Sequence, residues 1–270
     1  MQKVETFVKI LSIVSAKGGV GKTTISANLC SALRSRGHTV FALDLDPQNS
    51  LRLHCGIPPS HHAGVALSTL SASNWAKAMV QGNTGCVVLP FGHVSESERI
   101  TFESALSKDP LLLDQQLRSL GLPQDAIVII DTPPGPSVYL KQALSVANIA
   151  IVVTLADAAS YATIPMIDSL IEQYCFNRAD FIDYLYVISQ LNRSRQLSSD
   201  VADIMALQFS NKNISIVHQD QSIPEALACN QDALAYAPES QGAHDLIDFA
   251  MLINTILNDG YRAPKNEKLS

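Results

Sequence analysis

The sequence predicts an α/β protein with a doubly wound, mainly parallel sheet flanked by helices. Seven short apolar stretches are rich in Val and Ile and do not alternate with polar residues, as is typical of strands buried on both faces. Segments with helical periodicity lie between these stretches, and such alternation indicates βαβ units. A glycine-rich loop joins the first apolar stretch to the first helical segment. The predicted strands cover residues 8–14, 40–43, 86–89, 127–130, 149–154, 185–189 and 214–217.

The helical segments and the chain length fit one domain with a short tail. Helical periodicity is clear in residues 23–36, 164–174 and 197–209. With 270 residues, of which 47% are hydrophobic and 16% charged, the chain can bury a large core. No abrupt change of composition marks a linker. We therefore expect one domain over residues 1–258 and a disordered tail over residues 259–270, which are mostly polar.

Charge and cysteine content limit the classes of function. Twenty-five acidic and nineteen basic residues leave a net charge of −6, which disfavours a protein that coats nucleic acid. The five cysteines are scattered and form no C-x-x-C pair, as is typical of a reducing compartment. The sequence shows no secretory signal and no apolar stretch of the ~18 residues that a transmembrane helix needs. We therefore expect a cytoplasmic protein.

The glycine-rich loop has the features of a phosphate-binding loop. Residues 15–24 read SAKGGVGKTT. Glycines let backbone N–H groups turn towards a polyphosphate, and the N-terminus of the following helix adds positive potential. Lys22 can place its charge on the β- and γ-phosphates, and the Thr23 hydroxyl can ligate Mg²⁺. The strict G-x-x-x-x-G-K-T pattern fails at one position, where this chain has Ala16. The candidate nucleotide-binding residues of the loop are Gly18, Gly19, Val20, Gly21, Lys22, Thr23 and Thr24.

A second lysine, Lys17, stands near the start of this loop. On composition alone, a lysine in a tight turn is usually only solvated. The run KGGVGKTT, however, resembles the deviant Walker A signature of the MinD/ParA family of P-loop ATPases. The resemblance implies a homodimer with ATP at its interface, in which Lys17 contacts the nucleotide held by the partner subunit. It also implies that Lys17 and Lys22 are catalytic residues and that ATP and Mg²⁺ are the cofactors.

Carboxylates follow two of the predicted strands. The carboxyl ends of parallel strands meet at one edge of a sheet, where doubly wound folds bind ligands. Asp131 comes directly after residues 127–130 and has the position of a Walker B carboxylate, with a simple turn cap as the alternative. Asp44 and Asp46 are two residues apart, which places their side chains on one side of an extended chain. The candidate metal ligands are Thr23, Asp44 and Asp131.

The sequence DLDPQ at residues 44–48 also matches the MinD/ParA family. The match implies that Asp44 assists the metal site and that Asp46 is catalytic, positioning the water that attacks the γ-phosphate. A plain turn-forming role is the alternative for Asp46. Hydrolysis of this kind depends mainly on positioning and charge stabilisation. Gly135 can bring a backbone N–H to the γ-phosphate, so residues 132–136 are the candidate switch that senses hydrolysis.

The segment after the sixth predicted strand indicates which base is bound. Residues 190–195 read QLNRSR and lack the N-K-x-D pattern that reads guanine. An Asn amide offers one donor and one acceptor, which can complement an adenine edge. Asn192 and Arg193 resemble the family's adenine contact, and Pro224 lies in a later segment that resembles the loop beside the base. These residues favour ATP, with a turn role as the alternative for Asn192.

Three other interpretations carry less support. The histidines and the cysteine within residues 54–62 could form a metal site, but their spacing fits no zinc pattern well. Reductases that share this loop and carry an iron–sulfur cluster need a cysteine beside the switch, and residues 131–140 contain none. Apolar residues recur at helical spacing over 246–257, but there is no Lys or Arg over 245–260. Direct anchoring to a membrane through a basic amphipathic helix is therefore not expected.

One branch of the MinD/ParA family resembles this chain more closely. Residues 43–52 and the switch segment 131–135 are similar to those of the BcsQ-type ATPases of bacterial cellulose biosynthesis. The resemblance implies an ATPase, used as a molecular switch, that supports the inner-membrane cellulose synthase complex and is recruited there through partners. The implied partners are components of that complex and a small protein, BcsR. The alternatives are an ATPase that positions another cargo, an ATP-binding scaffold with little hydrolysis, and a metabolic P-loop ligase of the dethiobiotin synthetase type.

Overall fold

The structure, a computed structural model, describes residues 8–209 and 212–259 and contains one eight-stranded sheet. The order of the strands across the sheet is β3-β4-β2-β5-β1-β6-β7-β8, and every neighbouring pair is parallel except β3 with β4. In chain order the strands are β1 (Lys9–Val14), β2 (Val40–Asp44), β3 (Val80–Gln81), β4 (Val87–Leu89), β5 (Ile127–Asp131), β6 (Ile149–Leu155), β7 (Asp183–Leu191) and β8 (Asn213–His218). The predicted doubly wound α/β fold is confirmed.

All seven predicted strands are present, with small differences at their ends. Strands β2 and β5 each extend one residue further than predicted, so that Asp44 and Asp131 are their last residues. These two aspartates are paired in the parallel register of the two strands. Strand β3 was not predicted, because two residues are too short to show a periodicity.

Helices cover both faces of the sheet, and the three helical segments predicted from periodicity are confirmed. The helices are α1 (Lys22–Ser35), α2 (Leu51–His54), α3 (Val65–Leu70), α4 (Glu96–Lys108), α5 (Leu112–Ser119), α6 (Val138–Val146), α7 (Ala158–Cys175), α8 (Gln196–Gln208), α9 (Ser222–Ala228), α10 (Ala233–Tyr236) and α11 (Gln241–Asp259), with a 3₁₀ helix at Trp75–Ala78. Of the tail expected over residues 259–270, Asp259 is the last residue of α11, and residues 260–270 lie outside the described residues.

Helix α7 begins at Ala158, ahead of the predicted start at residue 164. Asp157 caps its first turn, because the Asp157 carboxylate accepts the Ser160 N–H at 2.7 Å. Pro165 lies inside the helix. The capping residue Asp157, and not Pro165, marks the start of the helix.

The apolar core is divided by the sheet. On one face, α1 and α11 pack together, and Leu29, Leu33, Phe249 and Ile253 are fully buried there. The opposite face carries two further apolar clusters, one beneath α6–α8 and one beneath α3–α5. The predicted apolar stripe of the last helix therefore faces the core. Among the residues described, none of the helices combines the length and apolarity needed to cross a bilayer.

Strand β1 occupies the centre of the sheet, between β5 and β6. The chain winds from β1 towards β2 on one side and later towards β8 on the other. The loop that follows β1 therefore lies at the point where the winding direction changes, and ligands of doubly wound folds bind in the crevice at that point. The loops that follow β2 and β5 open at the same edge.

Candidate functional site

The predicted phosphate loop connects β1 directly to α1 at the carboxyl edge of the sheet. Gly19 and Gly21 have φ values of +76° and +90°, a left-handed conformation that favours glycine. A hydrogen bond within the loop stabilises it, since the Ser15 hydroxyl donates to the Lys17 carbonyl at 2.7 Å. The N-terminus of α1 opens onto this loop, and its unpaired N–H groups and dipole favour an anion there.

The side chain of Lys22 is buried at the start of α1, with only 6% of the residue exposed. Burial lowers the pKa of its ammonium, and the nearby charges of Asp131 and Asp46 oppose that shift. Over residues 8–209 and 212–259, no carboxylate oxygen lies within 4.0 Å of the Lys22 ammonium. A buried cation without an ion-pair partner is costly, and a bound anion would remove that cost.

Thr23 and Asp131, two of the candidate metal ligands, are in direct contact. The Thr23 hydroxyl donates to Asp131 Oδ2 at 2.7 Å. A second hydroxyl, that of Ser26, donates to Asp131 Oδ1 at 3.0 Å. Burial raises the pKa of Asp131 to about 6, while the hydrogen bond from Thr23 and the charge of Lys22 oppose the rise. Ser26 was not predicted, although it lies three residues after Thr23 and so shares its face of α1.

Asp44 has a clear local role in addition to its predicted place near the metal. Its Oδ1 accepts the Asp46 N–H at 2.9 Å, and its Oδ2 accepts the Leu51 N–H at 3.1 Å. Asp44 therefore fixes the loop that carries Asp46. Burial raises the pKa of Asp44, and the charge of Asp131 on the neighbouring strand raises it further.

Asp46 lies in the turn that follows β2, and it is largely buried. Its Oδ1 accepts the Gln48 N–H at 2.9 Å, and its carbonyl accepts the Asn49 N–H at 2.8 Å. The residue thus contributes to the turn, as the alternative interpretation requires. The negative charge of Asp46 also acts on Lys22, where it opposes the lowering of the pKa of the ammonium.

The candidate switch, residues 132–136, is tied to β1 and to the phosphate loop. The Thr132 hydroxyl donates to the Ile13 carbonyl at 2.7 Å. The Gly135 N–H, predicted to reach a γ-phosphate, donates to the Ser15 carbonyl at 2.8 Å. Gly135 has a φ of +75°, and Pro134 approaches Gly18. For Gly135 to contact a phosphate, its N–H must leave the Ser15 carbonyl.

Lys17 contacts Asp157, the residue that caps the N-terminus of α7. Its ammonium lies 3.4 Å from each carboxylate oxygen of Asp157, and 37% of its side chain is exposed. Asp157 was not predicted as a site residue. No local sequence signal could have found it, because it lies 140 residues from Lys17 in the chain.

The residues predicted to contact the base lie beyond β7 and β8. The Asn192 amide donates to Gln219 Oε1 at 3.0 Å, while Asn192 Oδ1 accepts the Ser194 N–H at 3.0 Å. Arg193 is exposed and lies 3.8 Å from Asp203. Pro224 is exposed in the first turn of α9. Both polar atoms of the Asn192 side chain are therefore hydrogen-bonded within the protein, as its turn role requires, and a contact with adenine would have to replace or share these bonds.

The alternative metal site does not assemble. His54 is largely buried, and burial lowers its pKa to about 4. Cys30, a residue of α1, is buried in the same part of the core as Cys55 and Cys86. Within the described part of the chain, no three His, Cys, Asp or Glu side chains are grouped as a metal site.

Comparison with known proteins gives a consistent result. The family model described as "Cellulose biosynthesis protein BcsQ" matches residues 8–253. A cellulose biosynthesis protein BcsQ from Salmonella typhimurium is 25% identical over 250 residues, which cover 89% of this chain and 92% of that protein.

Two solved structures are similar over most of their length. The cell division ATPase MinD from Pyrococcus furiosus is 26% identical with a TM-score of 0.73, and the match covers 92% of this chain and 99% of that one. The septum site-determining protein MinD from Pyrococcus horikoshii, solved with Mg-ADP, has a TM-score of 0.72 and 24% identity, over 95% of this chain and all of that one. The latter likeness shows the fold alone.

Proposed function

Because this chain belongs to the BcsQ family of cellulose biosynthesis proteins and is a MinD/ParA-like P-loop ATPase, we propose that it dimerises around ATP and Mg²⁺ and uses hydrolysis as a switch. In this role it supports the assembly, regulation or localisation of the inner-membrane cellulose synthase complex. The BcsQ-family match supports the cellulose assignment, and the geometry of the phosphate loop supports the nucleotide.

The observation that carries the proposal is the buried ammonium of Lys22 beneath the glycine-rich loop, which has no ion-pair partner within 4.0 Å in the described part of the chain. A triphosphate supplies the anion that this group lacks. The hydroxyl of Thr23 and the carboxylate of Asp131, 2.7 Å apart, are hard oxygen donors of the kind that Mg²⁺ selects. Mg²⁺ is usually held by one or two carboxylates together with phosphates and water, so this small donor set fits it.

The chain's own residues would divide the work of hydrolysis. Thr23 and Asp131 would hold Mg²⁺, with Asp44 supporting them, and the ion would supply charge neutralisation on the phosphates. Lys22 places its charge on the β- and γ-phosphates. Asp46 orients the attacking water, and it is kept in place by the bond from its N–H to Asp44. Positioning and electrostatic stabilisation are the main sources of catalysis in this reaction class.

We propose that Lys17 acts between subunits. To reach a partner's nucleotide it must leave Asp157, an exposed contact that costs little to break. ATP can shift the monomer–dimer equilibrium only as far as it binds the dimer more tightly than the monomer. The dimer then presents a composite surface to BcsR and to components of the synthase, which recruit the otherwise cytoplasmic protein to the inner membrane.

The ligase alternative requires a substrate cavity next to the phosphate loop. The structure has a cavity of about 470 Å³ nearby, between the turn after Asp46 and the start of α4. Its lining runs from Pro47 to Arg52 and from Gly92 to Arg99, and includes neither Lys22 nor Asp131. The BcsQ-family match, and not this cavity, favours the switch ATPase over the ligase.

Light scattering tests the proposal most directly. The full chain is sized with ATP and Mg²⁺, with ADP and Mg²⁺, and without nucleotide. We expect a dimer with ATP and a smaller species in the other two conditions. The same mass in all three conditions, with ATP binding verified, would overturn the ATP-dependent dimer. Capture of synthase components from the native cytosol only in the presence of ATP would support the cellulose role.

A further inference from the structure

The end of β7 is irregular at a residue that touches the phosphate loop. The pairing of β7 with β8 shifts register between Ile188 and Leu191. Gln190, within this interval, has a φ of +54°, a left-handed conformation that is uncommon for a residue with a side chain. Irregularities of this kind re-aim a side chain near functional sites, and backbone strain is retained where the surroundings impose it.

The re-aimed side chain of Gln190 reaches the glycines of the phosphate loop. Its amide Nε2 donates to the Gly19 carbonyl at 3.2 Å, across 171 positions in the chain. The position that a Cβ on Gly21 would occupy is 3.3 Å from the same nitrogen and 3.1 Å from the Ser189 hydroxyl oxygen. A Cβ at position 21 would crowd this contact, so the glycine there leaves room for Gln190 as well as allowing a left-handed turn.

The contact fixes the orientation of one peptide group in the loop. In a planar trans peptide the carbonyl of Gly19 and the N–H of Val20 point in opposite directions. Gln190 holds the carbonyl outwards, towards β7. The Val20 N–H of the same peptide is therefore directed away from Gln190.

We propose that Gln190 is a positioning residue that pre-orients the Val20 N–H for the phosphates of the nucleotide. The inference rests on the proposed function, since it presumes that the loop binds phosphate. Asn192, the candidate base contact, is two residues further along the same strand end. In this proposal the end of β7 serves both parts of the nucleotide, with Gln190 acting at the phosphates and Asn192 at the base.

The test compares ADP and adenosine affinities in two matched variants. Gln190→Glu replaces the amide donor by a carboxylate that repels the Gly19 carbonyl. Gln115→Glu makes the same chemical change at an exposed position in the first turn of α5, where a carboxylate is tolerated. We expect Gln190→Glu to weaken ADP binding about tenfold, from the lost hydrogen bond and the added repulsion. Adenosine, which has no phosphate, should bind both variants within about a factor of two of the wild type.

Steady-state kinetics and a second variant separate positioning from a structural role. For Gln190→Glu the KM for ATP should rise while kcat at saturating ATP stays within about twofold of the wild type. Gln190→Gly removes the amide and relieves the left-handed strain, so it should fold at least as stably as the wild type and still bind ADP about fivefold more weakly. If Gln190→Glu does not fold, the ADP affinity of Gln190→Gly decides whether Gln190 positions the phosphate loop.

Two results would overturn the inference. One is wild-type ADP affinity in folded Gln190→Glu or Gln190→Gly. The other is a parallel loss of ADP and adenosine binding, which would mean that Gln190 supports the pocket as a whole and not the phosphate loop. If the wild-type protein itself bound no ADP, the proposed function would fail instead, and the two failures are therefore distinguishable.

Discussion

The ammonium of Lys17 lies 3.4 Å from both carboxylate oxygens of Asp157, which also caps the first turn of α7. The contact keeps Lys17 within its own subunit. If Lys17 acts on the nucleotide of a partner, the two interactions compete for the same ammonium. The strength of the Lys17–Asp157 pair then sets part of the free energy of dimerisation.

Changes to this pair should move dimerisation in opposite directions. Asp157→Asn keeps the helix cap, since Asn caps as well as Asp, but removes the charge that holds Lys17. An exposed ion pair contributes at most about 1 kcal/mol, and each dimer breaks two such pairs, so we expect the ATP-dependent dimer to tighten up to about thirtyfold. Lys17→Ala should weaken it. Sedimentation velocity across a concentration series measures both effects, and a Lys17→Ala dimer as stable as the wild type would exclude a contact in trans.

Loss of the buried lysine should abolish nucleotide binding. Of the two lysines within residues 15–24, Lys17 is paired with Asp157, whereas Lys22 has no ion-pair partner within 4.0 Å among the described residues. Lys22→Ala removes this charge, so we expect ATP affinity to fall at least about a hundredfold. Because the ammonium is desolvated in the unliganded protein, the variant should not unfold at a lower temperature. Isothermal titration calorimetry and thermal unfolding provide the two readouts. Lys108→Ala, at an exposed position in α4, is the control, and unchanged ATP affinity in Lys22→Ala would contradict the phosphate-loop assignment.

Two substitutions at Asp46 separate its catalytic role from its turn role. Asp46→Asn retains an oxygen for the Gln48 N–H but loses the carboxylate, whereas Asp46→Ala loses both. If Asp46 orients water, both variants should bind ATP within about threefold of the wild type and hydrolyse it at least about tenfold more slowly. Single-turnover hydrolysis measures this. Normal turnover in Asp46→Asn combined with slow turnover in Asp46→Ala would assign Asp46 to the turn alone.

His54 should make the protein less stable in acid. Burial lowers its pKa to about 4, below the ordinary value of 6.5. The unfolded chain therefore takes up a proton as the pH falls through about 6.5, while the folded chain does so only near pH 4. Stability that is fully present above pH 6.5 is lost across this window, by at most about 3 kcal/mol.

Urea unfolding at pH 7, 6, 5 and 4.5 measures the loss for the wild type and for His54→Gln, which cannot take up a proton. The difference in the free energy of unfolding between the wild type and His54→Gln should change with pH by the contribution of His54. The other titrating groups contribute equally to both proteins and therefore cancel. His244→Gln, at an exposed position in α11, is the control. An identical pH dependence in the wild type and His54→Gln would contradict the prediction.

Much of the candidate site could be predicted because its signals are local. The phosphate loop needs glycines and a lysine within ten residues, flanked by a strand and a helix, and both flanking elements are present as predicted. Asp131 was recognisable because it follows an uninterrupted apolar strand. Ser26, which donates to Asp131, was within reach of the same reasoning, since it is one helical turn beyond Thr23.

The sequence by itself determined the alternation of strands and helices, the phosphate loop and the carboxylates at the strand ends. These features follow from apolar periodicity and backbone freedom over a few neighbouring residues. Only the tertiary structure decided that Lys17 meets Asp157 and that Gln190 holds the Gly19 carbonyl. Such contacts join residues more than a hundred positions apart. They depend on the order of strands in the sheet and on an irregular strand end, neither of which a local pattern encodes.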